Sequence, residues 1–356
     1  MRLLFVKLGA IGDIVHALPA LAAVRTALPS AEISWVVERR SAEILRDNPL
    51  IDHLIEVDTR SLRTETSAGG ILPELRKQVK EVRRSEYDIA IDLQGLLKSG
   101  MIAKLSGAKR RWGFSKKNLR EPASRIFLTD KVKIPPQTHV IRKNLRLVGE
   151  ALNIAVPSEN FDFPIFTLPE HRTEAEQIAA SVPGPFALLN PAGGWKTKLW
   201  HAEKFGQLAD KLWNELRIRS IVAVGPNETE LAARVIAANA SKTAAVSTPS
   251  LKGFYELAKL AKVYVGGDTG PTHLAVAAGA PVVGLFGPTE WWRNGSPNPD
   301  DICVERTDIA CRIDCHRREC SNWICMDTDV ETAFNAVTRR LSAREATAAA
   351  NNELGL

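Results

Sequence analysis

Short apolar runs recur along the chain, each followed by a turn and a stretch of helical periodicity, and this alternation is what most narrows the possible folds. It is the pattern of a parallel sheet layered with helices. In the first half RLLFVK (2–7), ISWVVE (33–38) and YDIAIDL (87–93) read as strands, with a helix over 12–27. In the second half FALLNP (186–191), RSIVAVG (219–225), KVYVG (262–266) and PVVGLFG (281–287) read as strands. Residues 201–215, 228–239 and 251–261 carry a helical apolar period between them. Pro157, Pro164, Pro169, Pro183 and Pro185 gather where the halves meet, which predicts domains over 1–165 and 166–327. A last helix is expected over 328–347: Thr328 and Glu331 have capping-box spacing, and Val330, Phe334, Val337 and Leu341 form a stripe. The fold class is therefore α/β, with two doubly wound domains and a cleft where ligands meet the carboxyl ends of the strands.

No apolar run is long enough to span a bilayer, and Lys7 and Asp13 interrupt the apolar start that would otherwise suit a signal peptide. The expectation is a cytoplasmic protein. Charge is uneven: residues 1–165 hold 27 Lys and Arg against 19 Asp and Glu, and the remainder holds 20 against 22. RKQVKEVRR (76–84) and KRRWGFSKKNLR (109–120) are the densest basic stretches. Such a half suits an acidic substrate or an anionic membrane face. Nucleic acid is disfavoured, because the basic runs lack interleaved aromatics and any recognised module.

Two constellations carry chemistry. The first, FVKLGAIGDIVHALPAL, has Gly9 and Gly12 but not the G-x-G-x-x-G of a dinucleotide site. Asp13 stands where the loop enters the helix, a place that repels phosphate and favours an ionised carboxylate. It reads as a general base or as a plain helix cap. Lys7, ending the strand, is placed to orient an anionic group or else lies on the surface. The second constellation joins two stretches. In NPAGGWKTKLW (190–200), Gly193 and Gly194 with Lys196 and Lys198 suit a diphosphate without forming a P-loop. In VGGDTGPTHLAVAAGAPVVGLFGPTE (265–290), the backbone at a helix starting near Pro271 offers unpaired N–H groups to an anion. Glu228 and Glu230, just after another strand, suit ribose hydroxyls or a first helical turn.

Cys303, Cys311, Cys315, Cys320 and Cys325 crowd one stretch, with spacings outside the usual zinc pairings. Reduced cysteines in a loop is the favoured reading, beside structural zinc and redox chemistry.

These residues give the chain a resemblance to the ADP-heptose:lipopolysaccharide heptosyltransferases, a family of inverting glycosyltransferases. The resemblance runs nearly the whole length and rests on VKLGAIGDIVHALPAL (6–21), WVVE (35–38), IDLQGLLKSG (91–100), REPAS (120–124) and GGDTGPTHLAVAAGAPVVGLFGPTE. It implies a GT-B architecture of two facing Rossmann-like domains, the first binding acceptor and the second the nucleotide sugar, with the last helix returning to the first domain. It also implies a metal-independent reaction without cofactor, from ADP-heptose to Kdo-lipid A at the inner membrane surface. By resemblance Asp13 is the base and Lys198 the lysine beside the diphosphate. Glu230 is the nucleoside carboxylate, and Asp268, Thr269, Gly270 and His273 form the donor loop. Arg60, Arg63 and Arg120 lie where basic residues meet the acceptor. One departure stands out: Gly193 and Gly194 replace hydroxyl residues of the family pattern, so backbone amides would take that contact. The first half looks closest to members that add the first heptose to Kdo. The cysteine-rich stretch looks more like heptosyltransferase II members. A same-family enzyme with another acceptor or nucleotide sugar, and a non-catalytic nucleotide-sugar binder, are the competing readings.

Overall fold

The computed structural model describes residues 1–59, 76–312, 315 and 317–353, the stretch 345–353 as backbone. The chain divides into two compact units, Met1–Phe166 and Thr167–Leu356.

The first unit is built on a parallel sheet of β1 (Arg2–Val6), β2 (Glu32–Glu38), β3 (His53–Val57), β4 (Ile89–Asp92), β5 (Arg110–Phe114) and β6 (Asp130–Val132). Its spatial order is β3-β2-β1-β4-β5-β6. The helices are α1 (Ile11–Val15), α2 (Leu18–Ala27), α3 (described over 76–82), α4 (Leu97–Leu105) and α5 (Val140–Leu152). The single helix expected over 12–27 is thus two: Pro19 sits in the first turn of α2, where its missing N–H costs nothing, and the chain bends ahead of it. Leu4, Val6, Val36, Ile55 and Ala90 of the sheet pack with Val82, Ile102 and Ala103 into one buried core.

The second unit repeats the plan with β7 (Phe186–Asn190), β8 (Arg219–Ala223), β9 (Ala244–Ser247), β10 (Val263–Gly267), β11 (Val282–Phe286) and β12 (Ile302–Glu305). Its order runs β9-β8-β7-β10-β11-β12, the first unit's order again. The helices are α6 (Pro169–Ala180), α7 (Ala202–Leu216), α8 (Thr229–Ala237), α9 (Leu251–Leu260), α10 (Gly270–Ala277), α11 (Trp291–Asn294) and α12 (Val330–Glu353). In both units the strand order reverses beside the first strand, between β1 and β4 and between β7 and β10, which opens a crevice at the carboxyl ends of those strands.

The last helix packs on α7 and on β10, β11 and β12 of the second unit. Ala333, Phe334 and Val337 enter the core beside Val283, Leu285 and Val304. Buried Arg340 donates through Nε to Asp301 Oδ1 at 2.8 Å. Its N-cap is not the expected Thr328–Glu331 box. Asp329 Oδ1 accepts from Thr332 N at 2.6 Å, the Thr328 carbonyl accepts from Trp200 Nε1 at 2.9 Å, and Glu331 pairs with Lys211. The helix also outruns 347, because an alanine-rich tail needs no apolar stripe to stay helical.

Candidate functional site

At the first switch point β1 and β4 end side by side, Val6 opposite Asp92, and their loops are tied together. Gln94 Oε1 accepts from Leu8 N at 3.0 Å and Gly9 N at 3.4 Å, while its Nε2 donates to Asp13 Oδ2 at 3.5 Å. Ala10 N donates to the same oxygen at 3.3 Å. Asp13 is half-buried, and among the described residues its Oδ1 has no hydrogen-bond partner. Capping therefore occupies one carboxylate oxygen and leaves the other open. Because α1 is a single short helix, its dipole is small, and the nearby cation matters more.

That cation is Lys7. It is no surface lysine: 4% exposed, it donates through Nζ to the Leu93 carbonyl at 2.9 Å. Burial lowers its pKa, the Asp13 and Asp92 carboxylates offset part of that, and the Arg120 guanidinium adds to it. Asp92 is fully buried, and burial raises its pKa although Oδ1 accepts from Gln94 N at 2.9 Å and Gly95 N at 3.0 Å. Lys7, Asp13, Asp92, Gln94 and Arg120 thus form one neighbourhood, with Arg120 exposed at its edge. Arg60 and Arg63 lie outside the described residues.

At the second switch point the lysine loop after β7 meets the end of β10. Lys198 Nζ donates to Asp268 Oδ2 at 2.5 Å and to the Asp268 carbonyl at 3.1 Å, and it stands 3.9 Å from the centre of the Trp195 ring. Asp268 Oδ1 accepts from Asn294 Nδ2 at 2.5 Å, with His273 Nε2 at 3.3 Å. Burial alone would raise the Asp268 pKa, but His273 and Lys198 outweigh it and hold the carboxyl well below its usual range. Thr269, in extended backbone, begins α10, and Pro271 lies in the first turn close to where the sequence placed it. Thr269 makes no side-chain cap, so the first N–H groups of α10 remain available to an anion. Gly267 permits this assembly, since a Cβ there would come within 3.1 Å of the Lys198 carbonyl.

The structure thus brings Lys198, from the stretch after β7, into contact with Asp268, which His273 of its own stretch also faces. Four other residues fare differently. A Cβ on Gly193 would strike Leu199 Cδ2 at 2.7 Å, so packing explains that glycine, whereas one on Gly194 would meet nothing within 4 Å. Glu230 is exposed in the first turn of α8, and Glu228 closes its own turn by accepting from Gly225 N at 2.7 Å. The cysteines are free thiols. Cys325 is buried against Gly287, and burial raises its pKa, with Cys315, Cys320 and Cys311 adding to the rise. Among the described residues no group of three or more His, Cys, Asp or Glu is arranged to hold a metal ion. Sequence reasoning missed Gln94, Asn294 and Trp195. The QG after an apolar strand was the one available hint for the first, and nothing marked the others.

The chain matches known proteins along most of its length. The profile of Glycosyltransferase family 9 (heptosyltransferase) matches residues 75–323. Lipopolysaccharide heptosyltransferase 1 of Pseudomonas aeruginosa is 31% identical over 325 residues, 90% of this chain and 88% of that protein. Its namesake in Escherichia coli K12 is 30% identical, covering 82% and 89%. Among solved structures, E. coli heptosyltransferase WaaC with ADP-2-deoxy-2-fluoro heptose superposes with a TM-score of 0.74 at 26% identity, over 97% of this chain and 100% of that one. Shared fold, coverage and profile agree, and the chain belongs to glycosyltransferase family 9, the heptosyltransferases.

Proposed function

We propose that this chain transfers L-glycero-D-manno-heptose from ADP-heptose to Kdo of lipid A, in lipopolysaccharide inner-core synthesis, by a single inverting displacement. The observation that carries this reading is the division of labour between the switch points. One presents a carboxylate with an open oxygen, Asp13; the other presents a cation beside the start of a helix, Lys198 and α10. The names of the relatives, lipopolysaccharide heptosyltransferase 1 and a WaaC structure with a fluorinated ADP-heptose, support the choice of sugar and nucleotide.

In this reading Asp13 takes the proton from the acceptor hydroxyl as its oxygen attacks the anomeric carbon. The bond from that carbon to the diphosphate oxygen breaks, and its electron pair leaves with ADP. Lys198 and the first N–H groups of α10 meet the developing charge, an arrangement commonly worth about 3–4 kcal/mol per donor. To reach phosphate, Lys198 exchanges part of its contact with Asp268, whose carboxylate then faces sugar hydroxyls. Thr269, Gly270 and His273 complete the donor loop, Gly193 and Gly194 lend backbone, and Glu230 takes the ribose. Lys7 and Arg120, with Arg60 and Arg63, serve the acidic acceptor, which reaches the enzyme at an anionic membrane face. The described residues include no helix long and apolar enough to cross a membrane, and the reading is of peripheral attachment on the cytoplasmic side. No metal or cofactor takes part.

The test is ADP release from ADP-heptose and Kdo₂-lipid A, with and without EDTA. Release that needs both substrates and survives EDTA is expected. Release only with an already heptosylated acceptor would move the chain to a later step of the core, and loss on chelation would end the metal-free mechanism.

A further inference from the structure

We propose that the surface formed by α4 and the turn Pro122–Phe127 is the face with which this chain docks on an anionic phospholipid bilayer. The proposal deepens the peripheral attachment read above and rests on that reading only in taking the acceptor to be a lipid. Large apolar side chains exposed singly are ordinary, but here three share one place: Leu97 at 42% exposure, Met101 at 46% and Ile126 at 69%. Leu97 and Met101 are four residues apart and so lie on the same face of α4. The turn bearing Ile126 is pressed against that helix: a Cβ on Gly100 would sit 3.0 Å from Phe127 Cδ2 and 3.2 Å from the Ser124 carbonyl. Pro122 and Ala123, also exposed, continue the apolar surface.

The surroundings say what covers it. From Leu97 to Ile126 the sequence holds nine Lys and Arg and one acid. That acid, Glu121, is spent on capping α4, its Oε2 accepting from Leu97 N at 2.6 Å. Lys104, Lys109, Lys116, Lys117, Arg120 and Arg125 are exposed, and none is ion-paired to another described residue. A second copy of the same patch would be repelled by like charge. An acidic protein or nucleic acid would match the cations but give the three apolar tips nothing to enter. An anionic bilayer matches both, since phosphates attract the basic residues while Leu97, Met101 and Ile126 reach the boundary between headgroups and acyl chains.

The test is flotation of the full chain with phosphatidylcholine vesicles and with vesicles also containing phosphatidylglycerol. Wild type is expected to bind the anionic vesicles at least about tenfold more tightly, since each basic residue near such a surface contributes roughly fivefold. Leu97→Ser/Met101→Ser/Ile126→Ser should lose about tenfold or more, leaving only binding that high salt removes. Lys104→Glu/Arg125→Glu should lose at least as much at low salt. Each variant should melt as wild type does and transfer heptose normally to acceptor stripped of its acyl chains. Flotation of both variants at wild-type level, or equal wild-type binding to both kinds of vesicle, would overturn the assignment. So would a triple variant that merely dissociates from dimer to monomer in sedimentation, which would make the partner a second copy. Failure of transfer with flotation intact would strike the proposed activity and leave this docking face standing.

Discussion

The two units lay their strands in one order, yet they lock their switch points with different chemistry. In the first, a neutral amide does the tying: Gln94 clasps the β1 loop by two N–H groups and touches Asp13 from the side. In the second, the tie is ionic and buried, with Lys198, His273 and Asn294 all turned on the Asp268 carboxylate. A carboxylate saturated in this way is held ionised and organises what surrounds it. One left with an open oxygen has a lone pair free to meet a substrate hydroxyl. The same topology thus yields a reacting loop and a binding loop, and the difference lies in how many partners each aspartate is given.

If that contrast is real, the two aspartates fail differently. Asp13→Asn keeps the shape and removes the basicity, so turnover should fall by about 10²–10⁴-fold, the usual contribution of a general base. ADP affinity should stay within about twofold, because the donor contacts named here belong to the second unit. Single-turnover rates and calorimetric ADP binding measure the two separately. A variant that turns over normally would return Asp13 to the role of a helix cap and make both loops binding loops.

Much of this was legible in the sequence, for a physical reason. The inner strands β1, β2, β4, β7, β8, β10 and β11 are covered on both faces, so nearly every position is apolar and the run is unmistakable. β3, β5, β6, β9 and β12 lie toward the margins, where exposure admits RRWGF, the three-residue DKV and the largely half-exposed AAVS, and these were missed. Asp13, Lys198, Asp268 and His273 stood out because they follow strands or open helices. Gln94 did not, since its partner Leu8 is 86 residues away and a glutamine after a strand looks like any loop residue. Gly193 held a second reason that the sequence did not show: its lack of a side chain also makes room for Leu199.

The ionic lock also predicts an acid dependence that the neutral one lacks. Asp268 has a folded pKa below its unfolded value, so the stability it adds is present above the unfolded carboxyl's ~3.9 and is lost as pH falls below that toward the folded value. Asp268→Asn leaves a buried ammonium without its counter-charge, at a cost on the order of 3 kcal/mol near neutrality. Its melting temperature should therefore lie well below that of wild type above about pH 5, and the gap should begin to narrow as the pH drops through about 4 and keep narrowing toward the folded value. Parallel melting curves across that range would mean that the pair contributes no net charge stabilisation and that the two locks are alike.

The smallest expected effect tests the comparison most closely, because it asks whether the neutral lock merely holds a loop. Gln94→Met deprives the buried Leu8 N–H of its acceptor, at about 1–3 kcal/mol, and frees Asp13 from a contact that is long to begin with. Stability should drop by that amount and turnover by only about three- to tenfold, with the donor KM unchanged. Gln94→Glu separates the two functions. It keeps an oxygen for Leu8 N and Gly9 N, so most of the stability should return. It cannot donate to Asp13 and sets a like charge beside it, so turnover should remain low. Full turnover in the glutamate variant would show that the amide is structural alone, and Asp13 would then owe its position to the helix turn and Lys7 rather than to the strand beside it.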